Sequence, residues 1–365
     1  MNYDDIRPYN DSELTDALTR VAMLDVLPMI MRYVYPSTDT AESIGRLLSV
    51  RSVDELQATF MNDAIRRIID GTTDGLTCSG LNYLRRGGNY LFVSNHRDIT
   101  LDAFILQHLL LERKGRTSYI VFGDNLLAMP AAADMFRCNK LISMARGGSP
   151  RAFYNSLHHL SEYIHLLVEE QRQSVWIAQS NGRAKDGVDR TAPAIVKMLA
   201  LGGDADPKKA LEALNIVPMS ISYEWDPCDA MKANELAARR KGKYEKAPGE
   251  DFDSVVTGIV GHKGRVHLAI GKPLAPDELQ PCGNEDIFEH VAHVLDERIL
   301  KGYRLMPTAY AAYDLLHGST GKRRYYSPAT LQAMQARAAA LADDERRRLL
   351  LEMYANPLSR TLARN

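Results

Sequence analysis

Apolar positions along this chain follow two periods. Up to about residue 85 the spacing is helical, with residues 41–48, 53–60 and 61–69 placing apolar side chains three or four positions apart. Residues 71–80 are polar and contain glycine, and predict a connection. From residue 90 short runs rich in β-branched and aromatic residues take over: 90–93, 118–122, 140–145, 174–179, 216–223 and 264–270. Such runs predict buried strands. Between and after them, 100–112, 150–171, 192–201 and 287–300 return to helical spacing, with Ser149 as a natural N-cap before Pro150. Residues 125–136, interrupted by Pro130, predict short helix and loop, and the charged, irregular stretch 226–263 predicts an insertion. Beyond Tyr310 the helical pattern resumes at 331–340 and 343–353. Strands alternating with helices predict an α/β fold, a mostly parallel sheet flanked by helices, with helical N-terminal and C-terminal extensions. The expected division is a helical region at 1–84, an α/β domain at 85–300 containing the 226–263 insertion, and a helical extension at 301–365. No internal repeat is present.

Composition narrows the picture. A formal net charge of -1 gives no general attraction to polyanions, so a nucleic-acid partner is not expected. The cysteines Cys78, Cys138, Cys228 and Cys282 are widely spaced and read as reduced thiols of an intracellular protein rather than as metal ligands. The first residues, with Asp4, Asp5, Asp11, Glu13 and Asp16, do not read as a secretory signal. No stretch reads as a membrane span. The nearest candidate, 21–35, carries Asp25, Pro28 and Arg32, and reads either as a helix docked on the protein's own core or as one lying in a membrane interface.

Three predicted strands end in groups with chemistry. The first runs into Asn95-His96-Arg97-Asp98 and then a helix that has Asp102 in its first turn. In open α/β sheets ligands bind outside the carboxyl ends of strands. An imidazole with a carboxylate nearby is the minimum kit for a general base. A second strand, opening at Lys140, ends in Arg146-Gly147-Gly148; a third ends in Asn181-Gly182-Arg183-Ala184-Lys185. Arginine binds phosphate through a fork of donors, lysine as a point charge, and glycine lets backbone N–H groups approach an anion. In one sheet these loops share one crevice, suited to a hydroxyl on a phosphate-bearing acceptor.

The ordered set Asn95-His96…Asp102, Lys140-Leu141-Ile142-Ser143…Arg146, Gly182-Arg183 and Ile216-Val217-Pro218 resembles the four sequence blocks of the glycerolipid acyltransferases, which include the 1-acylglycerol-3-phosphate and glycerol-3-phosphate acyltransferases. The resemblance covers roughly residues 85–275. It implies that His96 deprotonates an acceptor hydroxyl, that an acidic partner orients it, and that the basic residues hold the acceptor phosphate. Pro218 would line the site, and Lys140, Arg146, Asn181, Gly182, Arg183 and Lys185 would bind substrate. The acyl donor would be acyl-CoA or acyl-carrier protein, with no further cofactor and no metal. The acceptor would be a lysophospholipid or glycerol phosphate met at a membrane surface, on the inner face of the cytoplasmic membrane.

Two departures from the family pattern stand out. Five residues separate His96 from Asp102 where the family has four, so either Asp102 or Asp98 is the partner. The third block has Asn181 where the family carries Glu, and an amide offers no charge to anchor an arginine. The alternative is therefore a non-catalytic lipid- or acyl-carrier-binding protein on the same fold. Other motifs lead nowhere. His96-Arg97-Asp98 lacks the Asn of a kinase catalytic loop, the position being Ala103, and His158-His159 lies within a helical pattern. The run Arg346-Arg347-Arg348 after Asp343-Asp344-Glu345 reads as a salt-bridged helix face.

Overall fold

The computed structural model describes residues 2–128, 130–242, 244–318 and 321–364. Seven strands, β1 (Thr73–Ser79), β2 (Leu91–Ser94), β3 (Tyr119–Gly123), β4 (Leu141–Met144), β5 (Val175–Ala178), β6 (Ile216–Tyr223) and β7 (Gly264–Ile270), form one sheet in the order β1-β7-β6-β2-β5-β3-β4. The five strands from β6 to β4 are mutually parallel, whereas β7 runs antiparallel to β6 and β1 runs parallel to β7. This is the mostly parallel α/β sheet the alternation predicts.

The central strands are mostly apolar because both faces of the sheet are covered, with Ser94 ending β2 and Ser220 and Ser222 buried in β6. Leu91 and Val93 pack on one face with Ile164, Leu167, Val196 and Leu199; Phe92 packs on the other with Ile105, Leu106, Ile68 and Ile69. All five parallel strands end at one edge. The loops after β2, β4 and β5 therefore open on the same side, which is the placement the strand-end argument requires.

Two stretches depart from expectation. The connection expected at 71–80 contains β1, an edge strand (TDGLTCS) with no fully buried residue. Its ladder bonds to β7 hold it together with the half-buried Leu76 and Cys78, too few apolar positions to leave a run to read. The irregular stretch expected at 226–263 holds two helices, Asp229–Lys241 and Glu250–Val260. The apolar residues the first buries fully are the small Ala233 and Ala237, packed in one cluster with Met353, Leu350 and Ala355 of the C-terminal helix Asp344–Leu362, and its other buried residues are the charged Asp229, Lys232 and Glu235, so its apolar stripe is faint. In the N-terminal region, helix Leu27–Val34 buries Leu27 and Met31 in the protein's own core and leaves Met29 outside. No helix among the described residues is long and apolar enough to cross a membrane.

Between the helix Glu250–Val260 and β7 lies Lys263, only 1% exposed. Its ammonium donates to Thr72 Oγ1 at 2.9 Å and to the Gly261 carbonyl at 2.7 Å, and forms no ion pair among the described residues. Burial pushes its pKa down to about 8. An unfolded lysine titrates near 10.4, so between pH 8 and 10 the unfolded chain binds more protons, and raising the pH stabilises the fold. The expected gain over that window is about 2 kcal/mol in chemical denaturation. Lys263→Met should flatten the profile between pH 8 and 10; a slope shared by both proteins would assign it to other groups.

Candidate active site

His96 lies two residues beyond β2, and Asp102 is the second residue of the helix Leu101–Lys114. The turn between them accommodates the extra residue. Asp98 Oδ1 accepts the backbone N–H groups of Thr100 at 2.9 Å and Leu101 at 2.8 Å, capping the helix. The Asp102 carboxylate is turned back across the turn. Its Oδ2 is 2.9 Å from His96 Nδ1 and accepts the backbone N–H groups of Arg97 at 2.5 Å and Asp98 at 2.9 Å, while Oδ1 accepts the Tyr223 hydroxyl at 2.8 Å. Asp102 is fully buried, and four donors converge on its two oxygens, an arrangement that suits an ionised carboxylate. An ionised Asp102 can only accept, so the imidazole proton sits on Nδ1 and the Nε2 lone pair is free. Nε2 has no hydrogen-bond partner among the described residues, and the ring borders the cavity. The edge of Trp176, 5.7 Å between centroids, fixes its tilt.

Asp98, the alternative partner, does not reach His96. Burial, then the neighbouring Asp102 charge, raises its carboxyl above the ordinary range, and its role is the helix cap. Its backing is close: a Cβ on Gly258 would fall 2.2 Å from Asp98 Oδ2, so the helix Glu250–Val260 seats its backbone directly on this loop. Burial, then the Asp102 charge, pushes the Tyr223 hydroxyl well above its ordinary pKa, which keeps it a donor.

The cavity beside His96 measures about 280 Å³. Its lining combines polar residues, among them Arg146, Asn181, Gly182, Arg183 and Lys185, with apolar ones, among them Phe104, Ile120, Phe122, Phe136 and Leu141. Arg146, on the loop after β4, forms no ion pair among the described residues. Its guanidinium lies across Gly123 at the end of β3, where a Cβ would fall 1.8 Å from Nε. Arg183 has a buried Nη1 with no acceptor among the described residues. Lys185 pairs with Glu235 at 3.2 Å, and burial pulls its ammonium pKa down. Gly182 takes a left-handed φ of 81°, with open space where a side chain would be. Asn181 is exposed at the rim.

Two expected substrate contacts lie elsewhere. Lys140 immediately precedes β4 and does not line the cavity; its ammonium pairs with Asp54 and sits over the Tyr119 ring. Pro218 is buried within β6, in register with Val93, and its carbonyl accepts the Gly271 N–H at 2.8 Å. Neither residue lines the cavity, because the ammonium of one is drawn to Asp54 and the ring of the other is packed within the sheet.

Several contributors were not foreseen. Tyr223 ends β6 at the same edge as His96; a phenol closing a buried apolar strand was the available signal. Arg239, Lys246 and Asp251 line the cavity from the stretch read as irregular. The His96 loop is tied to the Arg183 loop by the buried pair Arg97–Asp189 at 2.6 Å and by the Ala184 N–H donating to the His96 carbonyl at 2.9 Å. Lys232 Nζ adds a bond to the Arg97 carbonyl at 2.7 Å. No group of His, Cys, Asp and Glu among the described residues could hold a metal ion.

The site can therefore accept a proton at Nε2, hold an anion close by, and shelter hydrocarbon. A family model described as Acyltransferase matches residues 75–222, a span containing His96, Asp102, Arg146 and Arg183. None of the curated proteins matches the chain. Among solved structures it is similar to the 1-acyl-sn-glycerophosphate (LPA) acyltransferase PlsC from Thermotoga maritima, with 13% identity and a TM-score of 0.39, over 80% of this chain and 95% of that chain.

Proposed function

We propose that this chain, a member of the acyltransferase family through its residues 75–222, moves a fatty acyl group from a thioester to the hydroxyl of a glycerol phosphate or lysophospholipid. The observation that carries this reading is the free Nε2 of an Asp102-bound His96, opening on a cavity shared with Arg146 and the unpaired Nη1 of Arg183. Nε2 takes the proton of the acceptor hydroxyl as its oxygen attacks the thioester carbonyl. The tetrahedral intermediate collapses by expelling the thiolate, which takes the proton back from the imidazolium. Asp102 offsets the positive charge on the ring while the proton is held. Arg146 and Arg183 bind the acceptor phosphate, and Asn181 contributes a neutral amide at the rim.

The apolar part of the lining receives hydrocarbon. The donor is acyl-CoA or acyl-carrier protein, and the chemistry calls for no other cofactor and no metal. Residues 85–300 form the catalytic domain. Because the acylated product, like a lysophospholipid acceptor, is an amphiphile, the protein works at a membrane surface, on its cytoplasmic side.

The test crosses both donors with a panel of glycerol phosphate and lysophospholipid acceptors and identifies products by mass spectrometry. The expected result is a new ester with one phosphate-bearing acceptor, accompanied by stoichiometric free thiol. Acceptor binding with no thioester cleavage across the whole panel would favour a non-catalytic lipid-binding protein instead, a reading for which Asn181 in place of Glu is the motive.

A further inference from the structure

The loop that carries Arg183, residues 179–192 between β5 and the helix Pro193–Ala200, contains no helix or strand. Its cations repel one another. Burial first, and then the charges of Arg183 and Arg239, pull the Lys185 ammonium pKa down against the pull of Glu235. Arg183 itself has no ion-pair partner among the described residues, and Asn181 supplies no carboxylate to hold it. Such a loop keeps one shape only where a rigid element holds its backbone.

That element is the C-terminal helix Asp344–Leu362, which lies outside the matched span 75–222. Asn356 Nδ2 donates to the Asp186 carbonyl at 2.7 Å, and Arg360 Nη1 donates to the Asp189 carbonyl. Between these two ties Gly187, at a left-handed φ of 74°, lies against the Met353 carbonyl, and a Cβ there would fall 2.1 Å from its oxygen. Four residues beyond Met353 the helix holds Pro357, which has no N–H to bond that carbonyl. The helix thus gives up one of its own bonds at the turn where the loop rests on it. The ties from Asn356 and Arg360 end on main-chain carbonyls, so they fix the course of the loop and leave its side chains free for a ligand.

The same helix reaches the loop after β2. The buried Tyr354 hydroxyl donates to Asp229 Oδ2 at 2.8 Å and accepts the Asp226 N–H at 2.9 Å. Asp226 pairs with Lys232, whose ammonium donates to the Arg97 carbonyl at 2.7 Å.

We propose that the helix Asp344–Leu362 clamps the loop 179–192 and so positions Arg183 for the acceptor phosphate, with Asn356 and Arg360 as positioning residues, an assignment that rests on the proposed acyl transfer for the role of Arg183.

The experiment compares the full chain with two variants, Asn356→Ala with Arg360→Ala from the helix side and Gly187→Ala from the loop side. It reads steady-state kinetics with glycerol 3-phosphate and with lysophosphatidate as varied acceptors, and calorimetric binding of inorganic phosphate, which needs no turnover. The expected result in both variants is an acceptor KM raised about tenfold, phosphate binding about tenfold weaker, and kcat and thioester KM within about threefold of the parent. Turnover holds because His96 keeps its bond to Asp102. A helix that only stabilised the fold would lower the melting temperature and the active fraction, hence the apparent kcat, with acceptor KM and phosphate affinity unchanged, and that outcome would overturn the proposal. So would a parent chain that binds no phosphate. If phosphate binding falls as described while no acceptor is turned over with either donor, the clamp stands and the acyltransferase reading falls. Parent-like kinetics in both variants would remove the clamp and leave that reading in place.

Discussion

His96→Ala is expected to lower kcat/KM for acyl transfer by about 10³-fold while the protein stays folded. That corresponds to about 4 kcal/mol of barrier, within the range a positioned base supplies. The fold should survive because the ring makes a single hydrogen bond among the described residues, at Nδ1, and borders a cavity rather than a packed core. Asp102 keeps its three other donors, the backbone N–H groups of Arg97 and Asp98 and the Tyr223 hydroxyl. The acceptor phosphate site, on Arg146 and Arg183, is untouched, so acceptor KM should change little and the loss should appear in kcat. The check is steady-state kinetics beside a thermal melt. Near-native turnover in a normally melting His96→Ala protein would mean that another group takes the proton, and the proposed chemistry would be wrong.

How far the chain discloses this arrangement depends on what kind of force places each residue. The buried strands were readable because burial on both faces writes an uninterrupted apolar run, as in Leu91-Phe92-Val93. His96, Arg146 and Arg183 could be assigned to one crevice because parallel strands send their carboxyl ends the same way, so topology alone gathers them. β1 was not readable, because an edge strand held by main-chain bonds needs few apolar side chains. The helix Asp229–Lys241 was hidden for a related reason: it packs through alanines, and its charged residues make specific ties, Lys232 to the Arg97 carbonyl and Glu235 to Lys185. Lys140 and Pro218 do not line the cavity because side-chain partners decide their places, Asp54 for the ammonium and the β2–β6 pairing for the proline, and the block resemblance names neither. Tyr223 escaped notice because its contact with Asp102 spans 121 residues, and only the β2–β6 pairing brings the two together.

The identity of the acidic partner separates most sharply in a pair of isosteric changes. Asp102→Asn is expected to cut kcat by about 10²–10³-fold, and Asp98→Asn by less than about threefold. Three donors, His96 Nδ1 and the N–H groups of Arg97 and Asp98, meet Oδ2, and one, the Tyr223 hydroxyl, meets Oδ1. An asparagine must therefore point its carbonyl at the Oδ2 position and its NH₂ at Tyr223, whose hydroxyl can turn and accept. Geometry and tautomer are thus retained, and what disappears is the negative charge that offsets the imidazolium as the acceptor proton arrives. At position 98 the same exchange keeps a carbonyl oxygen for the Thr100 and Leu101 N–H groups, and asparagine caps helices about as well as aspartate. It also removes a carboxyl whose ionisation burial already opposes, so neither the cap nor the dyad loses much. Measuring kcat and melting temperature for both variants decides the matter. Equal losses would mean that the two acids act as one unit, and a larger loss at 98 would reverse their roles, leaving Asp102 as a purely structural anchor of the loop.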